Sequence, residues 1–91
     1  MSKVAVVTGA ARGIGLAVAK RFLQQDYRVA LLDIDEATLK QTQVALGEVL
    51  AIACDVADPR QVSQAVDLIA ARYGRIDALV NNAGVALFKP L

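Results

Sequence analysis

Three glycines near the amino terminus are the first residues whose types and spacing point to chemistry. Gly9, Gly13 and Gly15 follow an apolar, β-branched run and precede a stretch with helical periodicity. The N-terminus of a helix presents unpaired amides that stabilise an anion, and glycine lets a ligand approach the backbone closely. The same glycines would let the helix pack tightly on the sheet. The strand–turn–helix context favours a phosphate-binding turn, with a plain strand-to-helix turn as the alternative.

The composition argues against several other kinds of site. The chain has no histidine, which removes Ser-His-Asp triads, Cys-His dyads and imidazole zinc sites, and we expect no metal centre. Ten basic and nine acidic residues are scattered along the chain, so we expect neither a nucleic-acid nor a membrane partner. The single cysteine, Cys54, cannot form an internal disulfide, which favours a reducing, cytoplasmic compartment and a structural role for its thiol.

The elements that position the glycines alternate between two periods. Short apolar, β-branched runs predict buried strands over residues 3–8, 28–33, 48–55 and 75–82. Between them, Ile14, Val18 and Phe22 recur at helical spacing, and the polar segment 35–46 predicts a surface helix that ends near Gly47.

A third predicted helix carries the clearest start signal. Asp58 suits the N-cap, Pro59 suits the first helical position, and Gln61 lies where a capping box places Glu or Gln. The resulting order, β-α-β-α-β-α-β, predicts parallel strands joined by right-handed crossovers. The fold class is therefore α/β, with strand order 3-2-1-4: the first half of a doubly wound parallel sheet, with two helices on one face and the third on the other. The crevice where the winding reverses lies between the ends of strands one and four.

Two motifs in register on this topology resemble one family. "TGAARGIG" (residues 8–15) resembles the T-G-x-x-x-G-x-G cofactor motif of short-chain dehydrogenases/reductases, and "NNAG" (residues 81–84) resembles that family's second signature. The resemblance covers essentially all 91 residues and implies a Rossmann-like fold that binds a nicotinamide cofactor. It implies hydride transfer between that cofactor and a carbonyl or alcohol substrate, and a full-length protein that forms homo-oligomers.

The resemblance also implies a set of cofactor-binding residues. Those beside the pyrophosphate and the adjacent ribose would be Gly9, Arg12, Gly13, Ile14 and Gly15. Asp55 and Val56 would hold the adenine ring, although Asp55 also suits a turn or cap. Those beside the nicotinamide-side ribose would be Asn81, Ala83 and Gly84, with Asn81 and Asn82 also tying strand four to its neighbours.

Asp33 decides the expected cofactor. It ends the second predicted strand, eighteen residues after Gly15, where a carboxylate accepts hydrogen bonds from the adenosine ribose hydroxyls. The same charge would repel a 2′-phosphate, so we expect NAD rather than NADP. The alternative role for Asp33, capping a helix, is better filled by Asp35. Arg12 argues the other way, because family members that prefer NADP often carry a basic residue there.

The catalytic residues that the resemblance implies have no match in the chain. The family uses a Ser and a Tyr-x-x-x-Lys pair after NNAG, whereas Tyr27 and Tyr73 are followed four residues later by Leu31 and Asp77. We therefore interpret residues 1–91 as an NAD-binding half-domain, truncated after NNAG and inactive alone, whose fourth strand would be left with an open apolar edge. A non-catalytic dinucleotide-binding module is the alternative, and an extended-type nucleotide-sugar epimerase is a weaker one.

Overall fold

The computed structural model describes residues 2–82 as parallel strands that alternate with helices. In chain order the elements are β1 Val4–Thr8, α1 Gly13–Gln24, β2 Arg28–Asp33, α2 Glu36–Leu46, β3 Leu50–Ala53, α3 Pro59–Tyr73 and β4 Ala78–Asn81. The predicted strands and helices are present, and β3 and β4 are shorter than the apolar runs that predicted them because their ends turn into loops.

The sheet has the order β3-β2-β1-β4, and its three pairings are all parallel. In the register of the central strand, Val6 of β1 lies opposite Ala30 of β2 on one side and Leu79 of β4 on the other. The predicted α/β class and strand order are therefore confirmed. Since all four strands run the same way, their carboxyl ends share one edge of the sheet.

The two central strands are buried on both faces. On one face Val7, Val29 and Leu31 pack with residues of α1 and α2. On the other face Val6 packs with α3 through Ile69. This is the predicted distribution of helices, because right-handed crossovers place the first two on one face and the third on the opposite one.

Two of the three helices begin with an aspartate cap, as predicted. Asp35 Oδ1 accepts a hydrogen bond from the Thr38 amide at 3.1 Å, and Asp58 Oδ1 accepts one from the Arg60 amide at 3.0 Å. Gln61 does not complete a capping box: its Oε1 accepts from the Asp55 amide at 2.8 Å and so ties α3 to the loop after β3. The first helix differs, since Arg12 at its N-cap makes no capping bond from its side chain.

Helical spacing alone does not show which apolar side chains are covered. Ile14 shares the spacing of Val18 and Phe22, yet it is 74% exposed while those two are half-buried. Ile14 lies in the first turn of α1, next to the carboxyl edge of the sheet. Its exposure leaves an apolar contact surface beside the glycine turn.

One carboxylate helps to join the strands at the amino edge of the sheet. Asp77 Oδ2 accepts from the Val4 amide at 2.8 Å and from Arg75 Nε at 2.8 Å, which joins the segment before β4 to β1. The hydrogen bond from Arg75, followed by that from Val4, holds the pKa of Asp77 below its ordinary value of 3.8. This part of the fold is therefore stabilised by the ionised form of Asp77.

Acid should weaken the fold through Asp77. A lowered pKa in the folded state contributes stability that is complete above the ordinary value of 3.8 and is lost as pH falls through the lowered value. Urea unfolding of the parent and of Asp77→Asn should differ at neutral pH and converge in acid below both pKa values. A difference that stays constant across this range would contradict a role for the ionised carboxylate.

Candidate functional site

The turn between β1 and α1 needs glycine at two positions. Gly9 and Gly13 both have φ of +62°, a left-handed conformation that costs other residues about 1–2 kcal/mol. A Cβ built on Gly13 would meet nothing within 4 Å, so the space in front of this residue is open. The first helix also lacks a capping side chain and has no acidic residue in its first turn, so no side chain satisfies its N-terminal amides.

Gly15 has a different role, in packing. A Cβ on Gly15 would lie 2.0 Å from the Gly9 carbonyl oxygen and 2.9 Å from Asn82 Nδ2. Real Cβ atoms do not approach backbone atoms this closely, so only glycine allows α1 to lie against the end of β1. Gly15 thus lies behind the turn and does not line the groove in front of it.

Hydrogen bonds from neighbouring elements hold the turn in place. The Ala10 amide donates to the Leu32 carbonyl at 3.2 Å, and the Ala11 amide donates to Asp33 Oδ2 at 3.0 Å. The buried Thr42 hydroxyl of α2 donates to the Ala11 carbonyl at 2.7 Å. The turn is therefore fixed by both β2 and α2 before any ligand binds.

Thr42→Val should loosen this turn. The substitution keeps the shape of the side chain and leaves the Ala11 carbonyl without its buried hydroxyl donor, which should lower the free energy of unfolding by about 1–3 kcal/mol. Thr42→Ser, which keeps the hydroxyl, is the matched control, and urea unfolding measures both. Equal unfolding midpoints for the two variants would show that the hydrogen bond is unimportant.

Asp33 is held at the end of β2 by two backbone amides. Its Oδ2 accepts from Ala11, and its Oδ1 accepts from the Asp35 amide at 2.9 Å. A carboxylate offers about four lone-pair sites, so two remain for other donors. The side chain is half-buried and lines the groove in front of the glycine turn. It is a rigid acceptor at the position where the sequence predicted one.

Arg12 and Asp35 form an ion pair across the same rim. Arg12 Nη2 donates to Asp35 Oδ2 and, at 2.9 Å, to the Thr38 hydroxyl. Hydrogen bonds from the Thr38 hydroxyl and amide, together with the charge of Arg12, hold the pKa of Asp35 below its ordinary value. The guanidinium is therefore bound to α2. The sequence identified Asp35 as a helix cap, and its second partner depends on how α1 and α2 lie side by side.

Two adjoining recesses follow the carboxyl edge of the sheet. The larger, open recess has a volume of about 590 Å³ and is lined by Gly9, Arg12, Gly13, Ile14, Asp33, Ile34, Asp35 and Asn82. The smaller has a volume of about 170 Å³ and is lined by Gly9, Leu32, Asp33, Ile34, Cys54, Asp55, Val56 and Ala57. Because both share Gly9, Asp33 and Ile34, they form one groove, which we call the carboxyl-edge groove.

The remaining predicted residues fall into three groups. Asp55 and Val56 line the smaller recess, and Asp55 Oδ1 also accepts from the Ala57 amide at 2.9 Å, so the carboxylate shapes its own turn. Asn81 Oδ1 accepts from Thr8 Oγ1 at 3.1 Å, and Asn81 lines a groove on the α3 face, not the carboxyl-edge groove. Ala83 and Gly84 lie outside the described residues.

Asn82, which directly follows β4, ties the glycine turn to that strand. Its Nδ2 donates to the Gly9 carbonyl oxygen at 3.3 Å, which links residues 73 positions apart in the sequence. The two asparagines thus make the strand-four ties that were predicted from the motif. Sequence reasoning missed Thr42 and Ile34; a threonine in a polar helix and an apolar residue after a strand carry no signal of a site.

Residues 2–82 contain no helix with the length and apolar character needed to cross a membrane. Within the same residues, no three His, Cys, Asp or Glu side chains lie close enough together to hold a metal ion.

Comparison with known proteins places this geometry in a family. A family model described as short chain dehydrogenase matches residues 3–91. D-threitol dehydrogenase of Mycolicibacterium smegmatis is 47% identical over 92 residues, covering 97% of this chain and 35% of that protein. 2-(R)-hydroxypropyl-CoM dehydrogenase of Xanthobacter autotrophicus is 46% identical over 90 residues, covering 93% of this chain and 36% of that protein. The chain thus spans about a third of the length of these relatives.

Solved structures agree with the sequence comparison. A 3-ketoacyl-(acyl-carrier-protein) reductase from Brucella melitensis complexed with NADH superposes with a TM-score of 0.81 at 33% identity, covering 85% of this chain and 32% of that one. An actinorhodin polyketide ketoreductase with NADPH superposes with a TM-score of 0.86 at 38% identity, covering 89% and 33%. The likeness therefore extends to enzymes seen with either nicotinamide cofactor.

Proposed function

The chain belongs to the short-chain dehydrogenase family, and we propose that its carboxyl-edge groove binds NAD. Nicotinamide cofactors are the ligands of this family, and the two solved relatives described above hold NADH and NADPH respectively. Two points are proposed here: that the cofactor is NAD and not NADP, and which residues contact each part of it. Both rest on the geometry of the glycine turn and of Asp33.

The glycine turn fits a pyrophosphate. The N-terminal amides of α1 have no capping side chain, and the space in front of Gly13 is open. An anion in that space gains hydrogen bonds from the amides and the favourable end of the helix dipole. We assign Gly9, Gly13 and Ile14 to this contact, with Arg12 on its rim; Gly15 contributes by letting α1 approach β1.

The orientation of Asp33 carries the choice of NAD. Two backbone amides hold its carboxylate at the end of β2, and two lone-pair sites remain for the hydroxyls of the adenosine ribose. A 2′-phosphate at that place would meet a fixed negative charge, which costs roughly 1–4 kcal/mol at about 4 Å in aqueous to surface-like surroundings. NAD carries no such phosphate and is the favoured cofactor.

The two ends of the cofactor contact different strands in this proposal. Asp55 and Val56, in the smaller recess, receive the adenine: the carboxylate accepts from the exocyclic amine and Val56 packs against the ring. Asn81 ends β4 and Asn82 follows it. We assign Asn82, which lines the carboxyl-edge groove, to the nicotinamide-side ribose, and Asn81, bonded to Thr8, to holding the end of β4 in place. We extend this end to residues 83 and 84.

The reaction is proposed for the whole protein, since the chain spans about a third of its relatives. When bound, the nicotinamide ring would donate a hydride to a carbonyl substrate or accept one from an alcohol substrate. The contribution of residues 2–82 is to bind and orient the cofactor. Cys54 is buried, and desolvation, followed by the charges of Asp55 and Asp58, raises the pKa of its thiol, which supports a structural role. The proposed reducing, cytoplasmic setting rests on the single cysteine of the chain. We also propose that the whole protein is a homo-oligomer.

The choice of cofactor is tested with adenosine fragments that need no nicotinamide half. Calorimetric titration with adenosine 5′-monophosphate and with adenosine 2′,5′-bisphosphate should show tighter binding of the monophosphate. Equal or tighter binding of the bisphosphate would overturn the preference for NAD. Absence of saturable binding by either fragment, with circular dichroism showing a folded chain, would overturn the binding function itself.

A further inference from the structure

The side chain of Arg12 is committed to a neighbouring helix. Arg12 occupies the N-cap of α1, yet its guanidinium reaches across the rim of the carboxyl-edge groove to Asp35 and to the Thr38 hydroxyl of α2. Arg12 is the basic residue among those that line the described groove. The cation that a phosphate on this rim would use is therefore already paired.

Asp35 divides its two oxygens between two tasks. Oδ1 accepts from the Thr38 amide and caps α2, whereas Oδ2 accepts from the Thr38 hydroxyl at 2.8 Å and from Arg12. The amide of Asp35 donates to Asp33 Oδ1, so the two carboxylates are adjacent on the rim. A 2′-phosphate beside Asp33 would face both negative charges while the guanidinium is held by one of them.

We propose that Asp35 is a positioning residue that sets selectivity between NAD and NADP by holding Arg12 on α2. This inference rests on the proposed function, because it concerns the ribose that Asp33 is proposed to contact. Arginine prefers phosphate in bidentate geometry, so a guanidinium released from Asp35 favours a 2′-phosphate. The pair is partly exposed, with 67% of the Arg12 side chain and 39% of the Asp35 side chain accessible, so its effect is modest in size.

Asp35→Asn tests the proposal without removing the cap. Asparagine caps helices as well as aspartate does, so α2 keeps its N-terminal bond while the ion pair loses its charge. Calorimetric titration should show the affinity for NADP, relative to that for NAD, rising about three- to fivefold, the upper range for an exposed ion pair. In Arg12→Gln/Asp35→Asn this gain should be clearly smaller, since the released guanidinium is absent and only the loss of the Asp35 charge remains. If the substitution only damaged the structure, the binding of both cofactors would weaken equally and the ratio of their affinities would not change.

Asp58→Asn is the matched control. Asp58 caps α3 in the same way, through the Arg60 amide, and does not line the carboxyl-edge groove. Its substitution should leave the NADP-to-NAD ratio within about twofold of the parent, because the adenine beside its neighbour Asp55 is the same in both cofactors. A ratio equally unmoved in Asp35→Asn would overturn the inference while leaving the binding function intact.

Arg12→Gln alone gives a second, independent test that does not depend on the folding of the Asp35 variant. If Arg12 is held by Asp35, its removal should change the affinity for NADP by less than about threefold, the size of an exposed ion pair. A larger loss would mean that the guanidinium already serves the phosphate and that the proposal is wrong. Failure of the parent chain to bind either NAD or NADP would instead overturn the proposed function and, with it, this inference.

Discussion

Replacing Gly15 by alanine should destabilise the chain more than any other single methyl group added at the site. The new Cβ would lie 2.0 Å from the Gly9 carbonyl oxygen and 2.7 Å from its carbon. Both are backbone atoms, so α1 would have to move away from β1, which should lower the free energy of unfolding by about 3 kcal/mol. Urea unfolding followed by circular dichroism measures this loss.

Helix propensity alone predicts the opposite sign for Gly15→Ala. Alanine inside a helix is about 1 kcal/mol more favourable than glycine, so a chain governed by propensity would become more stable. Gly13→Ala is the matched control: its Cβ meets open space, and the cost is the left-handed φ, about 1–2 kcal/mol. A Gly15→Ala variant as stable as the parent, or less affected than Gly13→Ala, would contradict the close packing of α1 on β1.

Replacing Asp33 by asparagine should remove most of the preference for NAD. The substitution removes the charge that opposes a 2′-phosphate, so the ratio of NAD to NADP affinity should fall by about fivefold or more, from the roughly 1–4 kcal/mol of repulsion. Asparagine is preferable to alanine because Asp33 also holds the Ala11 and Asp35 amides, and alanine would release both. Calorimetric titration with the two cofactors measures the ratio.

The stability of the Asp33→Asn variant separates its two roles. After substitution, one of the two backbone amides that bond Asp33 faces the NH₂ group of the asparagine and loses its acceptor. Urea unfolding should therefore show a free energy of unfolding lower by about 1–3 kcal/mol. Asp67→Asn, on the exposed face of α3, is the control for loss of one negative charge and should alter neither the stability nor the ratio. An unchanged affinity ratio in Asp33→Asn would show that the carboxylate does not contact the ribose.

The sequence was sufficient for the fold because its signals are local. The β-branched runs, the Asp58–Pro59 start of α3 and the handedness of crossovers together predict the sheet order that the structure has. Periodicity shows which side of a helix is apolar but not which of its residues are covered, and Ile14 is 74% exposed.

The site was predictable in its residues but not in its contacts. Gly15 was expected both to admit a ligand and to allow close packing, and only the distance to Gly9 shows how little space it leaves. The bonds from Thr42 to Ala11 and from Asn82 to Gly9 join residues 31 and 73 positions apart. Such pairs depend on how the helices and strands pack, and no spacing in the sequence indicates them.

Residue-by-residue mapping of NAD binding tests the central claim most directly. In a titration of the ¹⁵N-labelled chain with NAD up to about 10 mM, enough to detect millimolar affinity, amide chemical shifts should change saturably at Gly13, Ile14 and Asp33. Amides at the amino edge, such as those of Arg28 and Arg72, should not respond. Unchanged shifts at the glycine turn, or changes confined to the amino edge, would contradict binding in the carboxyl-edge groove.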